Sequence, residues 1–204
     1  MLPAVSHAPF LPFTFDLTDE ASIARAAHAI GQAGPLDLVI IATGKLHGQG
    51  SQMPERSWRA LEGEAMAEMF AINTIGPALI AKHVLPLMRR DERAVFAALS
   101  ARVGSIADNR LGGWHSYRAS KAALNMLIRN FALEFALRNP HGIVVSVHPG
   151  TVDTSLSRPF QRNVPQSALL EPAQSAAHIL AVLDGLSPAD TGGFFAWSGE
   201  KIAF

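Results

Sequence analysis

Short apolar runs alternate with longer helical segments along this chain, and that alternation limits the folds it can adopt. Three of the runs are rich in branched or small apolar residues: 37–42 (DLVIIA), 94–99 (AVFAAL) and 142–147 (GIVVSV). Continuous apolar runs of this length indicate strands buried on both faces. Strands that alternate with helices indicate a parallel sheet covered by helices on both sides. The sequence therefore predicts a doubly wound α/β fold.

The remaining pattern completes a single domain without an internal repeat or an interdomain linker. Pro77 and Pro86 are expected to kink or end the second of four predicted helices. The helices are predicted at 18–31, 63–90, 117–138 and 171–186, and two weaker strands at 10–15 and 193–197. Residues 155–170 show no regular pattern and are predicted to form a flexible lid.

Composition excludes several classes of function. The 204 residues carry equal numbers of basic and acidic side chains, so no charge asymmetry suggests nucleic acid binding. Cysteine is absent, and no pair of the eight histidines has the spacing of a helical metal site, so no metal is expected. No membrane-spanning segment free of proline and charge is found, and the first fifteen residues lack a positively charged signal-like start. A cytoplasmic protein is expected.

A glycine-rich stretch follows the first strong strand, at residues 43–50 (TGKLHGQG). Its spacing is that of a loop binding the pyrophosphate of a dinucleotide. Such a loop needs a helix to begin at its last glycine, so that free N–H groups point at the phosphates. Here Pro54 is the first helix-starting residue, four positions late. We therefore interpret the stretch as a decoy rather than as a pyrophosphate-binding loop.

The single tyrosine of the chain, Tyr117, is followed four residues later by Lys121. On a helix these two side chains lie on one face, one turn apart. A nearby ammonium favours the phenolate and is expected to lower the tyrosine pKa from about 10 towards neutrality. A tyrosine tuned in this way can exchange a proton with an alcohol or carbonyl oxygen.

Further motifs around this pair carry a resemblance to the short-chain dehydrogenase/reductase family that covers nearly the whole chain. The motifs are 16–17 (DL), 73–76 (NTIG), 99–105 (LSARVGS), 117–121 (YRASK) and 149–154 (PGTVDT). Four stretches, VGSIADN, YRASKAALN, HPGTVDT and TGGFFAWSGE, are similar to the branch of the C-factor signalling proteins and related carbonyl reductases.

The resemblance implies a Rossmann-like fold and hydride transfer between NAD or NADP and a small carbonyl or alcohol substrate. Tyr117 would be the general acid/base, Lys121 would lower its pKa and bind the nicotinamide ribose, and Asn73 would hold a proton-relay water. Ser105 would hydrogen-bond the substrate oxygen. The implied cofactor-binding residues are Asp16 and Leu17 beside the adenine, Ala42, Thr43 and Gly44 beside the ribose, Pro149, Gly150, Val152 and Thr154 around the nicotinamide, and the pair Tyr117 and Lys121.

Two of these assignments have alternatives. Ser105 stands twelve residues before Tyr117 and is preferred as the catalytic serine, whereas Ser100 lies nearer the strand end. Asn73 could instead be a helix-kink residue whose side chain bonds a carbonyl freed near Pro77.

Comparison with the family also implies that the fold is incomplete at its amino-terminal side. The first strand, the true glycine loop, the first helix and the second strand have no counterpart, which would leave the strand at 37–42 with an unpaired edge. The alternative to an enzyme is therefore a non-catalytic or truncated relative with a signalling or interaction role. The apolar faces of the helices at 63–90 and 117–138 predict a homodimer or tetramer, as the resemblance also implies.

Overall fold

The computed structural model describes residues 12–48 and 53–204 of the chain. Its strands are β1 (Leu38–Ile41), β2 (Ala94–Leu99), β3 (Gly142–His148), β4 (Thr151–Val152), β5 (Leu169–Leu170) and β6 (Phe194–Ala196). The main sheet has the order β1-β2-β3-β6, with all neighbours parallel, and β4 pairs with β5 in a separate two-stranded sheet. The predicted parallel α/β arrangement is confirmed.

Five α-helices connect these strands: α1 (Glu20–Gly31), α2 (Gly63–Phe70), α3 (Gly76–Val84), α4 (His115–Ala136) and α5 (Pro172–Gly185). One apolar core joins α1, α3 and α4 to the sheet side that carries Phe96 and Val144. A second core packs α5 against the opposite side through Val145 and Ile179. Successive strand residues point to opposite faces, so a continuous apolar strand such as β3 fills both cores.

Strand β1 is an exception to the prediction that every apolar run is buried on both faces. Leu38 and Ile40 are 38% and 36% exposed. The reason is position, because β1 ends the sheet within the described residues and pairs only with β2. Residues 12–15, the described part of the strand predicted at 10–15, form no strand; Pro12 offers no N–H for pairing. Residues 10 and 11 lie outside the described residues.

The helix predicted at 63–90 is divided. A π-helical turn at Ala71–Ile75 separates α2 from α3, and Pro77 lies in the first turn of α3 rather than at the kink. By length and hydropathy alone the run Gly63–Leu87 could cross a membrane, a property that it shares with core helices of other folds. Here α3 packs against α1, and both α2 and α3 contact α4.

Candidate active site

Three loops meet at the carboxyl edge of the sheet. Residues 42–44 follow β1, Ser100 follows β2 and Pro149 follows β3. Parallel strands bring their carboxyl ends to the same edge, which is where doubly wound sheets bind ligands. The site motifs of the sequence therefore converge because of strand direction, although they are more than a hundred residues apart.

Lys121 is anchored beneath this edge. Its Nζ donates a hydrogen bond of 2.8 Å to the carbonyl oxygen of Leu99, and the residue is 3% exposed. Burial lowers the pKa of Lys121 from 10.5 to about 8. An ammonium has three donors and only one is used here, so two remain for a ligand.

Tyr117 lies one helical turn before Lys121 and is also buried, at 7% exposed. Its ring packs in a cluster with Leu46, Met69 and Ala101. Burial raises the pKa of Tyr117 to about 12, so the expectation that Lys121 lowers this pKa is wrong for the molecule as described. The physical reason is desolvation, because burial removes the phenolate from water and so disfavours the charged form.

Asn73 connects the helix α4 to the turn that follows β1. Its Oδ1 accepts from the N–H of Lys45 at 2.7 Å, and its Nδ2 donates to the carbonyl of Lys45 at 2.8 Å and to Ser120 Oγ at 3.1 Å. A Cβ built on Gly44 would lie 3.6 Å from both Asn73 Oδ1 and Lys121 Nζ. The amide thus bonds the strand-end turn and α4, rather than a helix carbonyl near Pro77, and brings Gly44, Asn73 and Lys121 together.

The two candidate serines have different surroundings. Ser105 is 2% exposed, and its Oγ accepts from the N–H of Asp108 at 3.0 Å, which leaves its own proton free to be donated. Ser100 is 3% exposed, and its Oγ has no hydrogen-bond partner in the described part of the chain. Neither serine belongs to the apolar cluster around Tyr117, but Ala101, which directly follows Ser100, does.

The segment after β3 is fixed by close packing around Gly150. This glycine has φ +82, and a Cβ there would lie 2.8 Å from side-chain atoms of Leu170 and Trp197. Ser175 Oγ donates to the carbonyl of Pro149 at 2.8 Å, Val152 lies in β4, and the Thr154 hydroxyl donates to the Val152 carbonyl at 3.4 Å. The sequence 149–154 is therefore a rigid corner that only glycine permits at position 150.

Asp16 and Leu17 reach the same region from the amino-terminal side. The Asp16 carboxylate is exposed and accepts from the N–H and the hydroxyl of Thr18 at 2.8 and 2.7 Å, which holds its pKa below the usual value. A Cβ on Gly76 would lie 2.4 Å from Leu17 Cγ, so Leu17 packs directly on the end of the π-helical turn that carries Asn73.

The glycine-rich stretch begins no helix in the described residues. After Gly48 the next described helical segment is the 3₁₀ turn Trp58–Ala60, and Gly50 lies outside the described residues. The exposed residues 42–44 adjoin Asn73 and Lys121.

Comparison with known proteins identifies the family. The family model for short chain dehydrogenases matches residues 2–165. C-signal of Myxococcus xanthus is 37% identical over 138 residues, which cover 67% of this chain and 77% of that protein. The chain belongs to the short-chain dehydrogenase family.

Other members of the short-chain dehydrogenase family agree over a greater length. The 1-hydroxy-2-glutathionyl-2-methyl-3-butene dehydrogenase of Rhodococcus sp. (strain AD45) is 33% identical over 183 residues, 88% of this chain and 74% of that protein. An NADPH-bound carbonyl reductase from chicken fatty liver has a TM-score of 0.79 and 29% identity, covering 93% of this chain and 75% of that one. The predicted family and Rossmann-like fold are confirmed.

Sequence reasoning missed two residues that shape this short-chain dehydrogenase site. Trp114, at the start of α4, has φ 50, the only positive φ of a non-glycine residue among those described. Glu55, from the loop after β1, accepts the N–H of Trp114 at 2.6 Å through its backbone, and its side chain accepts both the N–H and the hydroxyl of Ser116. The sequence contains one hint of an unusual helix start here: no Ser, Thr, Asp or Asn stands directly before His115 to cap the helix.

Proposed function

We propose that this short-chain dehydrogenase uses NAD or NADP to reduce a small carbonyl compound, or to oxidise the matching alcohol, in the cytoplasm. The observation that supports this most is the convergence of Tyr117, Lys121 and Asn73 at the carboxyl edge of the sheet. Membership of the family supports oxidoreductase chemistry in general.

The residues at this edge fit a nicotinamide nucleotide. Lys121 has two unused donors for ribose hydroxyls, and residues 42–44 are exposed beside it. Pro149, Gly150, Val152 and Thr154 would border the nicotinamide, while Asp16 and Leu17 would border the adenine. The carboxylate of Asp16 is exposed and ionised, so it would accept a hydrogen bond from a donor group of the adenine.

The cofactor supplies the hydride in this proposal, and the chain supplies the proton and the geometry. A phenol with a pKa of about 12 is protonated at neutral pH, so Tyr117 is ready to donate to a carbonyl oxygen as charge develops there. Lys121 stabilises the phenolate that results, Ser105 donates a hydrogen bond to the same oxygen, and Asn73 holds the water that restores the proton. The state of the phenol favours reduction over oxidation near neutral pH.

The test is a panel of aldehydes and ketones, measured as oxidation of NADPH and separately of NADH by the purified chain. The expected result is turnover of at least one carbonyl compound with one or both cofactors. Absence of cofactor binding at millimolar NADH and NADPH would contradict the proposal, because a site built from these residues must at least hold the nicotinamide ribose.

The assignment of the serine gives a separate prediction. Replacement of Ser105 by alanine is expected to reduce kcat/KM by about 10²-fold, the usual effect of losing one donor to a developing oxyanion. Ser100→Ala, which removes a buried hydroxyl without a partner in the described residues, is the matched control and is expected to change kcat/KM less than threefold. The reverse order would reassign the role to Ser100, and an unchanged rate in both variants would leave Tyr117 as the sole donor.

A role in signalling or interaction is the second candidate, favoured by the similarity to C-signal of Myxococcus xanthus. It predicts a folded chain that binds neither cofactor. The cofactor titration above therefore separates the two candidates.

We also propose that the chain forms a homodimer or tetramer through α4 and the helical run Gly63–Leu87. Of the predicted apolar face of α4, Leu124, Ile128 and Phe135 are core residues, so they are unavailable to a partner. Leu133 and Leu137 are 56% and 89% exposed, and Met126 and Ile75 add 62% and 52% exposed apolar side chains on the same helices. Unpaired apolar surface on neighbouring helices is typical of an interface.

Replacing Leu133 with lysine is expected to convert the native assembly to single chains, because a charged side chain cannot be desolvated there without a partner. Light scattering after size exclusion measures the mass. The control is Leu111→Lys, in a loop where the leucine is 90% exposed, which should leave the mass unchanged. A wild-type protein with the mass of one chain would refute the interface.

A further inference from the structure

A cluster of aromatic rings stands beside Tyr117, and the proton-transfer chemistry does not require it. The Trp114 ring is 6.2 Å from the Tyr117 ring, edge on, and 4.8 Å from the ring of Phe160. The ring of His47 is 6.0 Å from the ring of Phe160. We call His47, Trp114 and Phe160 the aromatic cluster.

Trp114 is held in this position against its own backbone preference. The left-handed region is strained for a bulky residue, and such strain concentrates at functional sites. The conformation is fixed on both sides, because the Trp114 N–H donates to the Glu55 carbonyl at 2.6 Å and the Trp114 carbonyl accepts from Arg118 at 2.8 Å. The strained backbone conformation thus places the Trp114 indole beside the Tyr117 phenol.

Phe160 reaches the cluster from a separate part of the chain. It lies in the 3₁₀ segment Arg158–Asn163, within the loop 153–168 between β4 and β5, which overlaps the lid predicted at 155–170. The pairing of β4 with β5 fixes both ends of this loop, and His47 Nε2 lies 3.3 Å from the Ser155 carbonyl oxygen. The loop thus contributes Phe160 to the aromatic cluster, and Tyr117 next to the cluster is only 7% exposed.

Phe160 packs against the cluster that contains Tyr117, so it lies where a group of the substrate next to the phenol would lie. Its phenyl ring lies 4.8 Å from the indole of Trp114 and 6.0 Å from the imidazole of His47, and we call the space that it fills the slot. Next to the slot, a cleft of about 670 Å³ is lined by Leu46, Met69 and Ser116, which leaves room for the rest of a small molecule.

We propose that Phe160 occupies the place of a planar aromatic group of the substrate, so that the preferred substrates are aryl aldehydes and aryl ketones. The aryl ring stacks on Trp114, and its attached carbonyl then meets the Tyr117 hydroxyl. This inference rests on the proposed function for its chemistry, but the ring subsite itself follows from the geometry of the aromatic cluster alone.

The kinetic test compares acetophenone with cyclohexyl methyl ketone, which has a similar size and a saturated ring. Aromatic pairs contribute about 0.5–1.5 kcal/mol each beyond area, so the wild type should favour acetophenone by roughly tenfold in kcat/KM. Trp114→Leu should reduce this ratio to about twofold or less. Trp58→Leu, at an exposed tryptophan outside the cluster, is the matched control and should keep the ratio.

A binding test separates failure of this inference from failure of the proposed function. Benzamide, which is not reduced, should bind the wild-type chain in saturation-transfer NMR, bind Phe160→Ala more tightly because the slot is empty, and bind Trp114→Leu much more weakly. If no carbonyl compound turns over but this order holds, the reaction is refuted and the aromatic subsite stands. If carbonyl compounds turn over but the acetophenone ratio is the same in the wild type and Trp114→Leu, the aromatic subsite is refuted.

Discussion

Replacement of Tyr117 by phenylalanine is expected to reduce kcat/KM for carbonyl reduction by roughly three orders of magnitude, the scale of a lost general acid. The ring of the variant can keep its packing against Leu46, Met69 and Ala101. No hydrogen bond of the Tyr117 hydroxyl is found within the described residues, so its removal leaves no partner unsatisfied. The unfolding temperature should therefore stay close to that of the wild type.

The control for this variant uses the fact that the chain contains one tyrosine. Ultraviolet titration of the phenolate in the wild type reports Tyr117 alone, and its midpoint should lie near the pKa of about 12 that burial produces. A midpoint near the ordinary value of 10 would mean that the phenol is solvated. Full activity of Tyr117→Phe would remove Tyr117 from the mechanism.

Replacement of Lys121 by methionine is expected to abolish activity and to stabilise the fold at neutral pH. Burial lowers the pKa of Lys121 from 10.5 to about 8, a difference that corresponds to roughly 3 kcal/mol of destabilisation below pH 8. Methionine has a similar length and no charge, but it leaves the Leu99 carbonyl without its 2.8 Å donor, which costs about 1 kcal/mol. The net gain in the free energy of unfolding at pH 7 is expected to be about 2 kcal/mol.

The pH dependence of stability gives the sign of this effect. Between pH 8 and 10.5 the folded state holds fewer protons on Lys121 than the unfolded state, so the wild type should become more stable as the pH rises through this window. Above pH 10 the raised pKa of Tyr117 acts in the opposite direction, because the unfolded chain loses its phenol proton first. The Lys121→Met variant should lack the rise and keep the decline.

Denaturant unfolding at several pH values measures both effects. Lys82→Met removes an ammonium that is 61% exposed on α3 and should change the free energy of unfolding by less than about 1 kcal/mol at any pH. A Lys121→Met protein that is less stable than the wild type at pH 7 would show that the ammonium stabilises the fold, contrary to the expectation.

Several features of the site could be predicted from sequence because they depend on local order along the chain. The offset of four between Tyr117 and Lys121 places both on one helical face wherever the helix lies, and the alternation of β2, α4 and β3 requires a parallel sheet. The segments that follow β1, β2 and β3, namely 42–44, Ser100 and 149–154, then meet at one edge because parallel strands share a direction. These results do not depend on side-chain packing.

Other features depend on contacts between distant segments and could not be predicted in this way. The sequence places a lysine near a tyrosine, yet the direction of the Tyr117 pKa is decided by burial beneath Leu46, Met69 and a loop that carries Phe160. The π-helical turn at Asn73 and the left-handed Trp114 have no local signature, because Lys45 and Glu55, in another segment, hold them in place.

The sequence by itself therefore determined the fold and the family, because strand and helix periodicity and the motif spacing are set by consecutive positions along the chain. Only the tertiary structure decided how far the Tyr117 phenol is removed from water and which aromatic ring lies beside it. Those properties arise from desolvation and packing. Both depend on all the residues that surround a group, and these residues come together only when the chain has folded.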